Sequence, residues 1–237
     1  KRLAALQKEL GLSEEETRLL ELSYVISNQR AFERYLDSYE DMESRLMLAS
    51  LMTGVRLGRI KKLYHGHSKL PALGLMEKDG RHGQLPPYPL EDTINEYLLG
   101  LGGKDLFGEF VSQDKGRTYS LASFPQDQEP KQMVQKILQN SSAHILFYGT
   151  PGTGKTEFVR AVAKSLGLRR YWVKQRDPDR RLRNNLLSNV LLALKLLEQD
   201  ERALVAVDEA DELLNTESFL FFNSTTEKGE LNNLMDT

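Results

Sequence analysis

The run Ala143-His144-Ile145-Leu146-Phe147-Tyr148 leads without a break into Gly149-Thr150-Pro151-Gly152-Thr153-Gly154-Lys155-Thr156. A mostly apolar segment of strand type thus ends in a loop spaced as Gly-x4-Gly-Lys-Thr, the pattern of a phosphate-binding loop. Glycine suits such a loop because backbone N–H groups close around a polyphosphate only in conformations that a Cβ obstructs. On this reading Gly149, Thr150, Pro151, Gly152, Thr153, Gly154, Lys155, Thr156 and Glu157 form the nucleotide-binding segment. Lys155 reaches the β- and γ-phosphates, the Thr156 hydroxyl ligates Mg2+, and the helix that starts here turns its positive end toward the phosphates. Phe158, Val159, Val162 and Leu166 recur as the buried face of that helix, which Gly167 ends. The strand before and the amphipathic helix after separate this motif from a bland glycine-rich turn.

The partner of such a loop is a carboxylate at the end of another buried strand. Ala203 to Val207 is an unbroken apolar run that stops at Asp208-Glu209-Ala210-Asp211. Asp208 is placed to hold Mg2+, through water because that ion gives up its hydration reluctantly. Glu209, next in the turn, orients and deprotonates an attacking water. Asp-Glu alone would read as an acidic helix cap, and Asp211 is read that way; the loop upstream is what assigns the first two to chemistry. Lys155 and Asp208 stand 53 positions apart. That leaves room for the first helix, a strand at 169–174 and a long helix at 182–197, so the expected fold is an α/β core with a parallel sheet. The Asp strand must lie beside the loop strand or one place away.

Residues 1 to about 63 carry apolar positions at helical spacing. Ser13 with Glu16 is a capping box that opens a helix to about Ser27, and two further apolar sets follow, Phe32 to Tyr39 and Leu46 to Met52. Two short helices after Gly58, a strand beginning at Gly74, a turn at Asp79-Gly80 and a return near 85–90 have the layout of a helix-turn-helix with a wing. A helix at 91–99 closes this unit. The expected organisation is a winged-helix-like domain at 1–103, a polar linker at 104–129, and the nucleotide-binding core at 130–237, whose first helix starts at Pro130.

Composition sets outer bounds. At 237 residues, 40% hydrophobic and 28% charged, the chain is expected to be folded and to hold two domains. No cysteine is present, which excludes a disulfide framework, a thiolate metal site and a cysteine nucleophile, and suggests a cytoplasmic location. No apolar run reaches the roughly 20 residues that cross a bilayer. A net charge of −2 excludes a generally basic nucleic-acid coat but leaves room for a local patch. Such a patch exists in Arg56, Arg59, Lys61, Lys62 and Lys69, with His65 and His67 nearby. It admits DNA contact, but upstream Glu40, Asp41 and Glu43 can offset it, and winged helices also dock proteins. Two histidines without a third ligand make a poor metal site.

GTPGTGKT followed by VAVDEAD resembles the AAA+ ATPase family over roughly residues 120–237. The resemblance implies a Walker A role for Lys155 and Thr156 and a Walker B role for Asp208 and Glu209. It also implies ATP and Mg2+ as cofactors, hydrolysis in a homo-oligomeric ring, and coupling to a macromolecular partner. The segment 119–125 resembles the lead-in that such ATPases carry near the adenine, and the N-terminal part is similar to winged-helix domains that precede the module in bacterial proteins. Members of the family also have a polar sensor, an arginine finger and a helical lid after Walker B. None is recognisable in the 29 residues after Asp208, so the sheet is expected to be incomplete and the chain to be a fragment. An aromatic pore loop is lacking as well: the segment after 174 is Gln175-Arg176-Asp177-Pro178-Asp179-Arg180-Arg181. A helicase reading of the letters DEAD is disfavoured by the short spacing from Lys155. The alternative to a motor is a nucleotide-switched module that binds DNA or protein through the N-terminal domain.

Overall fold

The fold is described from a computed structural model, which places residues 1–64, 68–76, 86–103, 105–125, 127–140, 143–174 and 186–210. Residues 77–80 of the expected wing at 74–80, the start of its return at 85, His65 and His67, the arginine-bearing loop after 174, Asp211 and the apolar run Phe219-Leu220-Phe221-Phe222 lie outside the described residues.

Seven helices form the N-terminal part among the described residues: α1 (Arg2–Leu10), α2 (Glu14–Asn28), α3 (Arg30–Asp37), α4 (Met42–Thr53), α5 (Leu57–Tyr64), α6 (Lys69–Ala72) and α7 (Asp92–Leu99). The capping box forms as the spacing implies. Ser13 Oγ accepts from the Glu16 N–H at 3.2 Å, and Glu16 Oε2 accepts from the Ser13 N–H at 2.8 Å. Met76 and Leu90 make an antiparallel bridge, the part of the strand-and-return layout that is described.

The stretch expected as a linker carries structure. Phe107–Phe110 forms α8, Val111–Gln113 forms strand β1, and Leu121–Ser123 makes a short 3-10 turn. Next come α9 (Gln128–Asn140), α10 (Lys155–Leu166), β2 (Arg169–Val173), α11 (Leu186–Leu197) and β3 (Ala203–Ala206). The sheet has the order β1-β2-β3. β2 and β3 run parallel, with Tyr171 opposite Val205, as strands joined by a crossover connection do. β1 pairs antiparallel with β2, Val111 opposite Val173, so the sheet is mixed, not wholly parallel as expected. Residues 143–148 form no strand, contrary to the sequence pattern. A strand exists only where a neighbour accepts its backbone hydrogen bonds, and no described strand lies along this run. Leu146 and Tyr148 are accordingly 57% and 89% exposed.

One hydrophobic cluster joins both halves. Leu6 and Leu10 of α1, Leu19 and Leu20 of α2 and Ile94 of α7 belong to the same core as Phe110, Val111, Tyr171, Val173, Leu192 and Ala193. α11 is apolar nearly all round and sits at the join, packed on α1, α8, β2 and β3.

Candidate nucleotide-binding site

The phosphate-loop residues adopt the backbone the motif requires. Gly149, Gly152 and Gly154 have φ of 146°, 78° and 85°, values that residues with a side chain rarely adopt. Gly154 is the N-cap of α10, so the loop ends where that helix presents unpaired N–H groups and its positive pole. Thr153 Oγ1 donates to the Thr150 carbonyl at 2.9 Å. Lys155 folds across the loop, its Nζ donating to the carbonyls of Gly149 at 2.9 Å and Thr150 at 3.0 Å. Both contacts face solvent. The loop is backed by Phe158, which is buried with its ring edge-on to Phe124 and Phe147 at 5.4 and 5.5 Å.

β3 delivers the second motif to the same place. The Thr156 hydroxyl donates to Asp208 Oδ2 at 3.2 Å and lies 3.5 Å from Oδ1. A hydroxyl and a carboxylate from motifs 52 residues apart therefore meet at the mouth of the loop. Glu209 follows with φ of 49°, the lone positive value outside glycine among the described residues, and its N–H donates to Asp208 Oδ1 at 3.1 Å. That turn ends the strand sharply just after Asp208. No group of three or more His, Cys, Asp or Glu side chains suited to a metal occurs among the described residues. Two hard oxygen donors completed by phosphate oxygens and water suit Mg2+, so the residues present fit the ion.

Sequence reasoning missed the support of this site. Asp114, just past β1, accepts from Arg160 Nε at 2.7 Å, from the Trp172 indole at 3.1 Å and, through Oδ1, from the Gly116 N–H at 2.7 Å. Arg170 Nε lies 3.8 Å from the same carboxylate. Partial burial pushes the Asp114 pKa up, but the bonds from Gly116, Trp172 and Arg160 and the charge of Arg160 outweigh it and bring it down to about 2. Arg160 also donates to Glu157, so this residue, expected among the nucleotide ligands, is paired with a neighbouring guanidinium. The spacing of Glu157 and Arg160 signals their contact. Asp114 two residues before a glycine signals only a turn. The segment 119–125 lies against the loop, where Phe124 Cε1 is 3.8 Å from the position of a Cβ on Gly154 and the buried Lys131 donates to the Phe124 carbonyl at 2.6 Å.

Three of the five basic side chains in the N-terminal cluster have partners. Arg59 pairs with Glu15 and Lys61 with Glu43, each at 2.6 Å, and Lys69 donates to the Gly11 carbonyl.

Residues 145–237 match the family described as "ATPase family associated with various cellular activities (AAA)". The C-terminal part of the chain carries an AAA domain. A Dictyostelium discoideum protein described as probable replication factor C subunit 5 is 31% identical over 78 residues, covering 32% of this chain and 22% of that protein. The chain thus spans less than a quarter of that relative's length. No solved structure matches. The AAA domain contributes the loop, Asp208 and the parallel strand pair, whereas β1 and Asp114 lie outside the matched residues yet dock onto them. No described helix is long and apolar enough to cross a membrane.

Proposed function

We propose that the chain binds ATP with Mg2+ between residues 149–157 and Asp208, and hydrolyses it in an oligomer to remodel or switch a macromolecular partner. The observation that carries this reading is the Thr156–Asp208 contact at 3.2 Å, beside a loop whose glycines take the required backbone. Lys155 leaves the Gly149 and Thr150 carbonyls to hold the β- and γ-phosphates as a point charge. Thr156 supplies a direct oxygen ligand to the ion, and Asp208 holds it through water. Bound Mg2+ would neutralise charge building on the phosphate oxygens. Glu209 accepts a proton on its carboxylate from the water that attacks the γ-phosphate. The AAA match supports ATP as the nucleotide, and the similarity to a protein named as a subunit supports assembly.

Two variants test the reading. Glu209→Gln should retain ATP binding while turnover falls about 100-fold or more, the usual contribution of a general base. Phosphate release measured alongside binding checks it, and undiminished release removes Glu209 as the base. Lys155→Ala should weaken binding of a fluorescent ATP analogue about tenfold or more, since a charge-assisted contact to phosphate contributes roughly 1.5–3 kcal/mol. An unchanged titration counts against the site.

A second reading concerns the partner. Met47 and Leu51 of α4 are 58% and 77% exposed, while Arg59 and Lys61 are already paired. This favours protein docking over DNA contact through the N-terminal helices. A gel shift of the whole chain across salt concentration should find no steep salt dependence of the kind that phosphate neutralisation gives.

A further inference from the structure

Arg160 stands one helical turn after Thr156, so the two share a face of α10. Its guanidinium uses separate nitrogens for separate carboxylates: Nε for Asp114 and Nη1 for Glu157, the residue that follows Thr156. Asp114 is itself immobilised, with a side chain 8% exposed and three donors on its two oxygens. The first turn of the nucleotide-facing helix is therefore tied to a fixed carboxylate on the sheet edge, not left to solvent. The anchoring carboxylate, Asp114, lies outside the AAA match, whereas Glu157, Arg160 and Trp172 lie within it. Beneath it lies Trp172, whose indole donates to Asp114 at 3.1 Å and whose ring lies 5.6 Å from the Arg160 guanidinium carbon.

We infer that Arg160, held by Asp114, is a positioning residue that sets Thr156 for Mg2+ and transmits the presence of the ion and nucleotide to Trp172 at the sheet. The inference rests on the nucleotide-site reading above. A partner bonded directly to a metal ligand is worth about tenfold to a hundredfold in metal affinity; Arg160 acts one residue away, through Glu157, so about tenfold, the low end, is expected and is large enough to measure. It also demands a fork. Lysine keeps the charge but offers one point donor on a flexible stem, so it cannot bridge Asp114 and Glu157 in the same planar geometry.

Trp172 is the chain's single tryptophan, so its emission reports this place alone. In the unaltered protein, adding a non-hydrolysable ATP analogue with Mg2+ should change Trp172 emission, and the analogue with EDTA should change it much less. Arg160→Lys should abolish the Mg2+-dependent change and weaken Mg2+ about tenfold at saturating analogue, while affinity for the analogue in EDTA stays within about twofold. A purely structural role would lower both affinities together. Full Mg2+ affinity and an intact emission response in Arg160→Lys would overturn the inference. So would a silent Trp172 in the unaltered protein while analogue binding still depends on Lys155, a measurement that needs no variant at Arg160. Absence of any Lys155-dependent binding overturns the nucleotide site itself, a distinct result.

Discussion

Gly152 has no atom within 4 Å of the position a Cβ would take, and at Gly154 the nearest is Phe124 at 3.8 Å, an ordinary contact. Neither glycine is required by crowding in the free protein. Both are required by φ, at 78° and 85°, where a side chain costs roughly 1–2 kcal/mol. The loop is exposed, so Gly152→Ala can shed that strain by relaxing locally, and the melting temperature should barely move. Closing around phosphates demands the strained form again. ATP affinity should then fall about fivefold to thirtyfold, the equivalent of that cost. Melting curves beside an analogue titration check this, and an equal loss in both would mean that the loop is rigid without nucleotide. The meeting of Thr156 with Asp208 was legible in the sequence because the loop motif and its partner carboxylate come with fixed residue types and spacing. Asp114 and Arg160 were not: their pairing spans 46 residues and carries no periodic signal.

Among the elements, helices such as α2 and α10 were legible because caps and the period of 3.6 are local properties. Strands depend on neighbours that the sequence does not name. Residues 143–148 have the composition of a strand and no ladder, while Val111-Ser112-Gln113 lacks a strand pattern and becomes β1 because β2 lies alongside. The docking of β1 and α10 through Asp114 has a pH signature. A carboxyl held near 2 when folded and near its ordinary value when unfolded binds fewer protons in the folded state, so it stabilises above about pH 4 and loses that effect as the pH falls through about 2. The contribution at neutral pH is on the order of 2 kcal/mol. Asp114→Asn should therefore be less stable by about that amount at pH 6, and the gap should narrow as the pH drops from 5 to 3. Urea titrations at stepped pH read it directly. A gap independent of pH would assign the loss to packing, not to charge.

At the scale of the whole molecule, the sequence suggested two units joined by a polar tether, because glycines and glutamines near 100–129 resemble a linker. The structure instead routes that stretch through α8 and β1 into a core shared by α1, α11 and β2. Ser112 and Gln113 of this short edge strand stay exposed, as polar residues of a loop would, so composition alone does not separate the two. A shared core has a consequence for unfolding. Leu10 of α1 is fully buried, and α1 packs on α11, which packs on β2, the strand that carries Trp172. Leu10→Ala removes packing from this join and should cost about 2–5 kcal/mol. If the core is one cooperative unit, that loss must appear equally in helix content, to which the N-terminal helices contribute the larger share among the described residues, and in Trp172 emission, which reports the sheet. The two transitions should coincide in the unaltered protein and shift together in Leu10→Ala. Two separate transitions, with only the helical one moved, would instead show that the N-terminal helices melt independently of the AAA domain and that α11 is a contact surface between them, not a common core.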